Sequence, residues 1–433
     1  MQGSHSEAQY EASVIVRGGY LIRTATLHGR TLSLTADFNS TTDIEIIGVP
    51  NCAKKLVING RQVSHETNDA GSWTHQVRLP SPKLNLPDFK TLQWKAIDSL
   101  PEISTSFDDQ AWPKADKRSN NAMAPQITPT SLYGSDYGFH AGALVYRGHF
   151  TATGNESKIF LETQGGSAFS SSVWINGTFL GSWTGWPSAS KQLLQLKLPN
   201  ETEAGESYVL TVVVDNNGYK LNPTAGRDEM KIPRGILQYN VTDASGDLVD
   251  VDVAWRITGN LGGEEYLDKA RGPLNEDGFF AERHGLHLPD PPIDSDEYDF
   301  ESRTPFDGLR KPGAKLYTAK LMLDLPSGDF DIPISVKFDY NKSNRAFRSL
   351  LYVNGWQFGK LASNLGPQTK LFVPEGILNY RGENQIAVLL WALEEGGAKF
   401  DDISLGASQP IWTGRKSVTL VESPEWEARE GAY

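Results

Sequence analysis

Three times in 433 residues an apolar run passes straight into Asn-Gly: Leu56-Val57-Ile58-Asn59-Gly60, Val173-Trp174-Ile175-Asn176-Gly177 and Leu351-Tyr352-Val353-Asn354-Gly355. Asn-Gly supplies the two positive φ angles of a type I′ turn, whose twist matches the strands it joins, so each copy predicts a β-hairpin. Three hairpins of one kind predict three β modules. Elsewhere, short runs rich in β-branched and aromatic residues, at 13–17, 31–38, 44–49, 144–151, 207–214 and 384–391, are bounded by Gly, Pro, Asn and Asp. Helical periodicity is nearly absent, apart from a single expected turn at 375–379 after Pro374. The eight alternating helices of a (β/α)₈ barrel have no counterpart here.

The second and third hairpins belong to longer similar stretches. Asn176-Gly177-Thr178-Phe179-Leu180-Gly181 parallels Asn354-Gly355-Trp356-Gln357-Phe358-Gly359, and Gly205-Glu206 and Gly382-Glu383 each precede an apolar strand. Upstream, Leu92-Gln93-Trp94-Lys95 and Val253-Ala254-Trp255-Arg256 hold similar places. Such self-similarity implies two copies of one unit. The expected fold is all-β: a disordered start at 1–12, a small antiparallel β domain at 13–89, and two jelly-roll β-sandwiches of galactose-binding-like type at 90–252 and 253–433. The proline-rich, acidic stretch 288–303 is expected to be a solvated excursion.

A net charge of −12 argues against nucleic acid or an anionic membrane as partner, and no run of 18 apolar residues is present to span a bilayer. The single Cys52 allows no internal disulfide. Six sequons begin at Asn39, Asn155, Asn176, Asn200, Asn240 and Asn341, which suggests a secreted origin, although polar turns are rich in the same residue types. The first nine residues hold no signal-peptide core.

Catalytic patterns do not emerge. Asp108-Asp109, Glu394-Glu395 and Asp401-Asp402 read as solvated turn carboxylates, and the eight histidines lack metal-ligand spacing. No cofactor is implied. Gly165-Gly166-Ser167 lacks the lysine of a phosphate loop. The remaining candidates are aromatic: Trp183, Trp186 and Trp356 follow Asn-Gly hairpins, where they either stack on a sugar ring or cap the mouth of a sandwich core.

These segments also carry a family resemblance. Val14-Ile15-Val16-Arg17-Gly18-Gly19-Tyr20, Leu132-Tyr133-Gly134-Ser135-Asp136-Tyr137-Gly138-Phe139-His140 and Gln164-Gly165-Gly166-Ser167-Ala168-Phe169 resemble fungal β-galactosidases of glycoside hydrolase family 35. So do Thr258-Gly259-Asn260-Leu261-Gly262-Gly263-Glu264, Arg271-Gly272-Pro273-Leu274-Asn275-Glu276, Val373-Pro374-Glu375-Gly376-Ile377-Leu378-Asn379-Tyr380 and the closing Arg429-Glu430-Gly431-Ala432-Tyr433. The resemblance implies the C-terminal half of an extracellular enzyme that releases terminal non-reducing β-D-galactose with retention. It places both catalytic glutamates in an N-terminal barrel, so none can be assigned to a residue of this sequence. The expected role is accessory and non-catalytic, with a β-galactoside met only through the intact enzyme and the catalytic barrel as partner. A free-standing carbohydrate-binding module, and a subunit complementing a separate barrel, stay open as alternatives. One departure stands out: Asn222-Pro223-Thr224-Ala225-Gly226 replaces a loop that carries a Trp in many relatives.

Overall fold

The computed structural model describes residues 13–79, 82–122, 125–221, 224–226, 229–260, 271–272, 274–276, 278–326, 329–341, 345–415 and 418–421. The 1–12 start, Asn222 and Pro223 of the departing loop, and the motif residues at 261–264 and 429–433 lie outside them.

The first eight strands are β1 (Ile15–Arg17), β2 (Leu21–His28), β3 (Thr31–Phe38), β4 (Thr42–Ile47), β5 (Lys55–Ile58), β6 (Arg61–Val63), β7 (Glu66–Thr67) and β8 (Trp73–Val77). One sheet runs β1-β4-β8-β7, and a second is built on β3, β5 and β6 with β2 alongside β3. Period-2 alternation turns Leu32, Leu34, Ala36, Ile44, Ile46, Leu56 and Trp73 into the space between them. The β3–β5 pair is parallel, so this module is not antiparallel throughout.

The rest of the chain supplies β9 (Lys95–Asp98), β10 (Gly142–Thr151), β11 (Lys158–Gln164), β12 (Ser171–Ile175), β13 (Thr178–Trp183), β14 (Lys191–Lys197), β15 (Ser207–Asn216), β16 (Gly235–Thr242), β17 (Leu248–Val249) and β18 (Ala254–Thr258). After the one-turn helix α1 (Phe280–Arg283) come β19 (Gly313–Asp324), β20 (Phe330–Asp331), β21 (Ile334–Asp339), β22 (Phe347–Val353), β23 (Trp356–Ala362), β24 (Lys370–Val373), β25 (Arg381–Ala392), β26 (Asp402–Ala407) and β27 (Ile411–Thr413). They form two sandwiches of one design. The first pairs the sheet β13-β12-β15-β10-β18 with β14-β11-β16-β17, and the second pairs β23-β22-β25-β19-β9 with β24-β21-β26.

The duplication extends to detail. All three hairpin asparagines have positive φ (49° at Asn59, 45° at Asn176, 50° at Asn354), as do the glycines that follow. Each asparagine also latches a neighbouring strand: its Oδ1 accepts the backbone N–H of Ala36, Val209 or Gln385 at 2.7–2.8 Å. Gly181 and Gly359, with φ of 156° and 141°, occupy matching places, where a Cβ would press on Leu196 and Leu371.

Two features depart from the division at 89/90 and 252/253. The sandwiches exchange strands: β9, which precedes the first unit, pairs with β19 of the second, while β18 pairs with β10 of the first. Trp94 accordingly packs in the second core and Trp255 in the first. Two homologous sheets offer equivalent edges, and strand pattern alone does not choose between them. In addition, β20 and β27 extend the β3 sheet of the small module, where Trp412 enters the core. The 288–303 stretch is also not wholly solvated, since Tyr298 and Phe300 pack inward and Glu301 bridges Ala96.

A third core lies between the sandwiches. Ala143, Val145, Trp174 and Val213 from the first five-stranded sheet meet Leu316, Leu350, Tyr352, Leu389 and Trp391 from the second, with Phe279 and Ala281 of the α1 region and Trp112 between them. Both sheets are therefore buried on both faces. This interlock predicts one cooperative unfolding transition for the two sandwiches. Trp174→Ala, by opening a cavity in the shared core, should lower stability by about 3–5 kcal/mol and shift that single transition as a whole. Scanning calorimetry resolving two independent sandwich transitions would contradict the interlock.

Candidate functional site

Strand ends gather a loop cluster at one end of the first sandwich. Gly165 and Gly166 donate to Ser190 O, Gly165 O receives the Asn217 N–H at 2.8 Å, and Asn217 Nδ2 reaches Ser167 O at 2.9 Å. Gly165 is obligatory here, because a Cβ would stand 2.0 Å from Asp215 O. The Gly-Gly-Ser motif is thus a tight structural turn. From the same end, Arg234 Nε donates to Gly218 O at 3.0 Å, and the Tyr219 hydroxyl pairs with His140 Nδ1. Trp186, Tyr219, Leu221 and Met230 on these loops stay exposed, Trp186 at 62%.

The three sequence-selected tryptophans do not converge. Trp183 ends β13 and packs against the first core with its indole N–H buried, so it caps the sandwich. Trp186 stands exposed on the next loop, whose turn closes from Ala189 N–H to Trp186 O. Trp356 begins β23, opposite Val353. The other end of that strand, near Ala362, meets the Thr184 loop, so Trp356 lies roughly 20 Å from it by strand rise.

Sequence reading missed the charges buried where the sandwiches meet. Lys360 on β23 reaches Asp215, Glu276 at 2.9 Å and Asn217 at 3.1 Å. Burial disfavours its ammonium, but Asp215 and Glu276 outweigh that and raise its pKa. Arg348 ties the loop cluster to the second sandwich, donating to Thr184 O at 2.8 Å, Ala168 O at 3.3 Å and Asn364 Oδ1 at 3.0 Å. Deeper in, Arg283 and Glu102 form an ion pair at 0% exposure on both sides. Asp109, read from sequence as a solvated turn carboxylate, is instead buried, accepting from Arg147 at 2.9 Å and bonding His149 at 2.6 Å. Despite its burial, these partners hold its carboxyl below the usual range. Charges separated along the chain and joined only by packing leave no local signature.

The sequon asparagines are all exposed, but several sequon residues also build structure. Asn176 is the latch of its hairpin. Glu156 accepts from Thr153, Gly154 and Thr202, and these bonds outweigh burial to hold its pKa at about 2. Thr202 of one sequon thereby staples Glu156 of another.

The profile of the β-galactosidase second all-β domain matches residues 107–220 and again 280–396, together more than half of the chain, once for each sandwich. The chain belongs to this β-galactosidase domain family. A profile for β-galactosidase domain 3 also matches residues 3–74. Probable β-galactosidase A of Aspergillus flavus and β-galactosidase A of Aspergillus oryzae are each 51% identical over 98% of this chain and 41% of their own length. The probable β-galactosidase A of Emericella nidulans is 51% identical over 99% of the chain and 42% of its own. The chain thus spans about two-fifths of these relatives, and corresponds to their C-terminal jelly-roll region. A glycosyl hydrolase family 2 member from Bacteroides cellulosilyticus aligns with 12% identity over 72% of this chain and 32% of its own, at a TM-score of 0.21, too low to argue from.

In this β-galactosidase domain pair, a second carboxyl group titrates far from its ordinary range, in the opposite direction to Glu156. Burial pushes Glu282 up from near 4.5 to about 7, against a hydrogen bond from Tyr352 and one from Phe279 N–H. Glu276 raises it further, Arg283 opposes, and His287 packs its ring on Tyr352. Glu282 is enclosed in the joint, which makes it a structural group. The folded state holds this proton more tightly than the unfolded chain, so the contribution is fully present below pH 4.5 and is lost as pH rises through about 7. Its size is of the order of 3 kcal/mol. Burial holds the His284 pKa down to about 4, which works the opposite way over the same window, so the test is a difference: in denaturant titrations from pH 4.5 to 8, the stability of the chain relative to Glu282→Gln should fall as pH rises. An unchanged slope in the variant would refute the assignment.

Proposed function

We propose that the chain is the accessory part of a secreted β-galactosidase that, as a whole enzyme, hydrolyses terminal non-reducing β-D-galactose residues. The observation that carries this reading is the double match of one β-galactosidase domain profile, supported by alignment over nearly the entire chain with enzymes more than twice as long. The architecture is compatible with it. Among the described residues every strand pair except β3–β5 is antiparallel and the one α-helix is a single turn, which is no frame for a (β/α)₈ barrel. The raised carboxyls Glu102 and Glu282 sit inside packed protein, whereas glycoside hydrolysis needs two carboxyls flanking a bound sugar.

In this reading the loop end of the first sandwich, with Trp186, Tyr219, Leu221 and Met230, is the surface that docks against a catalytic barrel. Exposed apolar groups grouped on one end mark an interaction surface. Trp356, on the far side of the joint, is a substrate contact only if it faces the barrel from there.

A chimera tests the proposal. Replacing the matched region of the Aspergillus oryzae enzyme with this chain should give a folded protein that hydrolyses a chromogenic β-galactoside within roughly tenfold of the parent. The chain alone should be inactive. Turnover by the chain alone, abolished by changing one of its own carboxylates, would overturn the accessory role. A folded but inactive chimera would overturn the assignment of this chain to such an enzyme.

Secretion carries its own test. Asn39, Asn155, Asn200, Asn240 and Asn341 are exposed and absent from the shared core, so their glycans would not clash with the joint. Expressed through a yeast secretory pathway, the chain should lose mass on treatment with an N-glycan amidase, and Asn240→Gln should remove one glycan. An unmodified secreted chain would sink this part.

A further inference from the structure

A cavity of about 770 Å³ opens in the small module, where the two-residue strand β7 ends and leaves the edge of β8 uncovered. Every residue that lines it has a polar side chain, Asp43, His65, Glu66, Thr74, Gln76 and Arg78 among them, with polar and carbon atoms sharing the surface about equally. Cross-strand pairing puts Asp43 beside Gln76 and Glu66 beside Thr74, so acceptors and donors alternate across neighbouring strands. Arg78 Nε to Gln76 Oε1, a long 3.5 Å, is the one side-chain hydrogen bond seen among these six groups. His65 lies flat on the Trp73 indole, with ring centroids 3.7 Å apart and 22° between planes, which fixes an aromatic face at the rim. Burial and the neighbouring His75 lower the His65 pKa, so the ring is neutral at neutral pH.

We propose that this cavity is a binding site for a neutral oligosaccharide. Sugar hydroxyls both donate and accept, and they pair with just such a set of carboxylate, amide, hydroxyl and guanidinium groups. The flat C–H face of a pyranose stacks on aromatic rings. Competing ligand classes fit less well. The described residues hold no cluster of three His, Cys, Asp or Glu side chains arranged for a metal ion. Two carboxylates against one guanidinium repel an anion. A wholly apolar ligand would leave the carboxylates, amide and guanidinium of the lining without partners, whereas a sugar offers both hydroxyls and C–H faces to a mixed surface. The volume suits a pocket for a small ligand of about two or three pyranose rings. The inference is independent of the accessory role, because neither Trp186 nor the joint contributes to the cavity.

Calorimetric titration of the full chain with lactose, β-1,4-galactobiose and cellobiose tests it. At least one should show saturable uptake with a Kd in the millimolar range. Asp43 and Gln76 are exposed and lie off the core, so Asp43→Ala combined with Gln76→Ala should fold normally and weaken binding at least tenfold, about 1.4 kcal/mol. Should that double variant lose its near-ultraviolet dichroism, Arg78→Ala serves in its place with the same expectation. Trp186→Ala should leave affinity unchanged. No saturable uptake of any of the three sugars up to about 50 mM overturns the proposal. So does binding that survives the cavity variants or disappears with Trp186→Ala, which would move the site to the sandwich loops.

Discussion

Face-to-face packing of the two five-stranded sheets is the constraint on which the rest of the molecule depends. A sheet with one wet face needs apolar residues at every second position, but strands such as β22 and β25 are buried on both sides along most of their length. Leu350 and Tyr352 look into the joint while Leu351 and Val353 look into the second core. Neither sheet can be exposed without uncovering large side chains, Trp174 and Trp391 among them. The strand exchange works in the same direction. Removing either sandwich would take β9 or β18 from the other, so the two are halves of one body despite their common ancestry in sequence.

Charged groups in the joint give that packing its register. Burying Arg283 with Glu102, or Lys360 with Asp215 and Glu276, costs desolvation that the ion pairs only roughly repay. Leaving one member unpaired costs far more, so a sheet displaced by one residue would strand several buried charges at once. Apolar contacts tolerate sliding to a degree that these pairs do not. The apolar surface thus supplies the drive to associate and the ion pairs select one arrangement. Arg348 extends the selection outward, since its bonds to Ala168 and Thr184 also hold the loop cluster of the first sandwich in place.

What could be read in the sequence was what local chemistry encodes. Asn-Gly after an apolar strand requires two positive φ values, and all three copies have them. The duplication was visible because its markers, Gly181 with Gly359 and Asn176 with Asn354, meet the same steric and hydrogen-bond demands in both copies. The strand exchange was not legible, because Trp94 and Trp255 sit in similar local patterns and either would suit either sheet edge. The joint was hidden for a related reason: a strand buried on both faces reads as a continuous apolar run, with no mark of what covers it. At the candidate site, Trp183 and Trp186 are three residues apart, yet one caps a core and the other faces water. Only the end of β13 separates those fates, and strand ends are poorly fixed by pattern.

The same architecture limits where a partner can act. One face of each five-stranded sheet is spent on the joint and the other on its own sandwich core, so neither offers a recognition surface. What remains open is the outer sheet of each sandwich, the loop ends and the small module. The outer sheet of the first sandwich carries Asn240, and its rim carries Asn155 and Asn200 beside one cavity of about 490 Å³, so bulk attached there would keep that side free. On the proposed accessory role, the docking surface is assigned to the exposed aromatic and aliphatic side chains of the loop cluster, whose positions Arg348 already ties to the second sandwich. A body seated on those loops would sense both sandwiches at once, through Arg348, Lys360 and Asn364. Geometry of that kind suits a scaffold that holds a neighbouring domain rigidly better than a module that swings free on a linker.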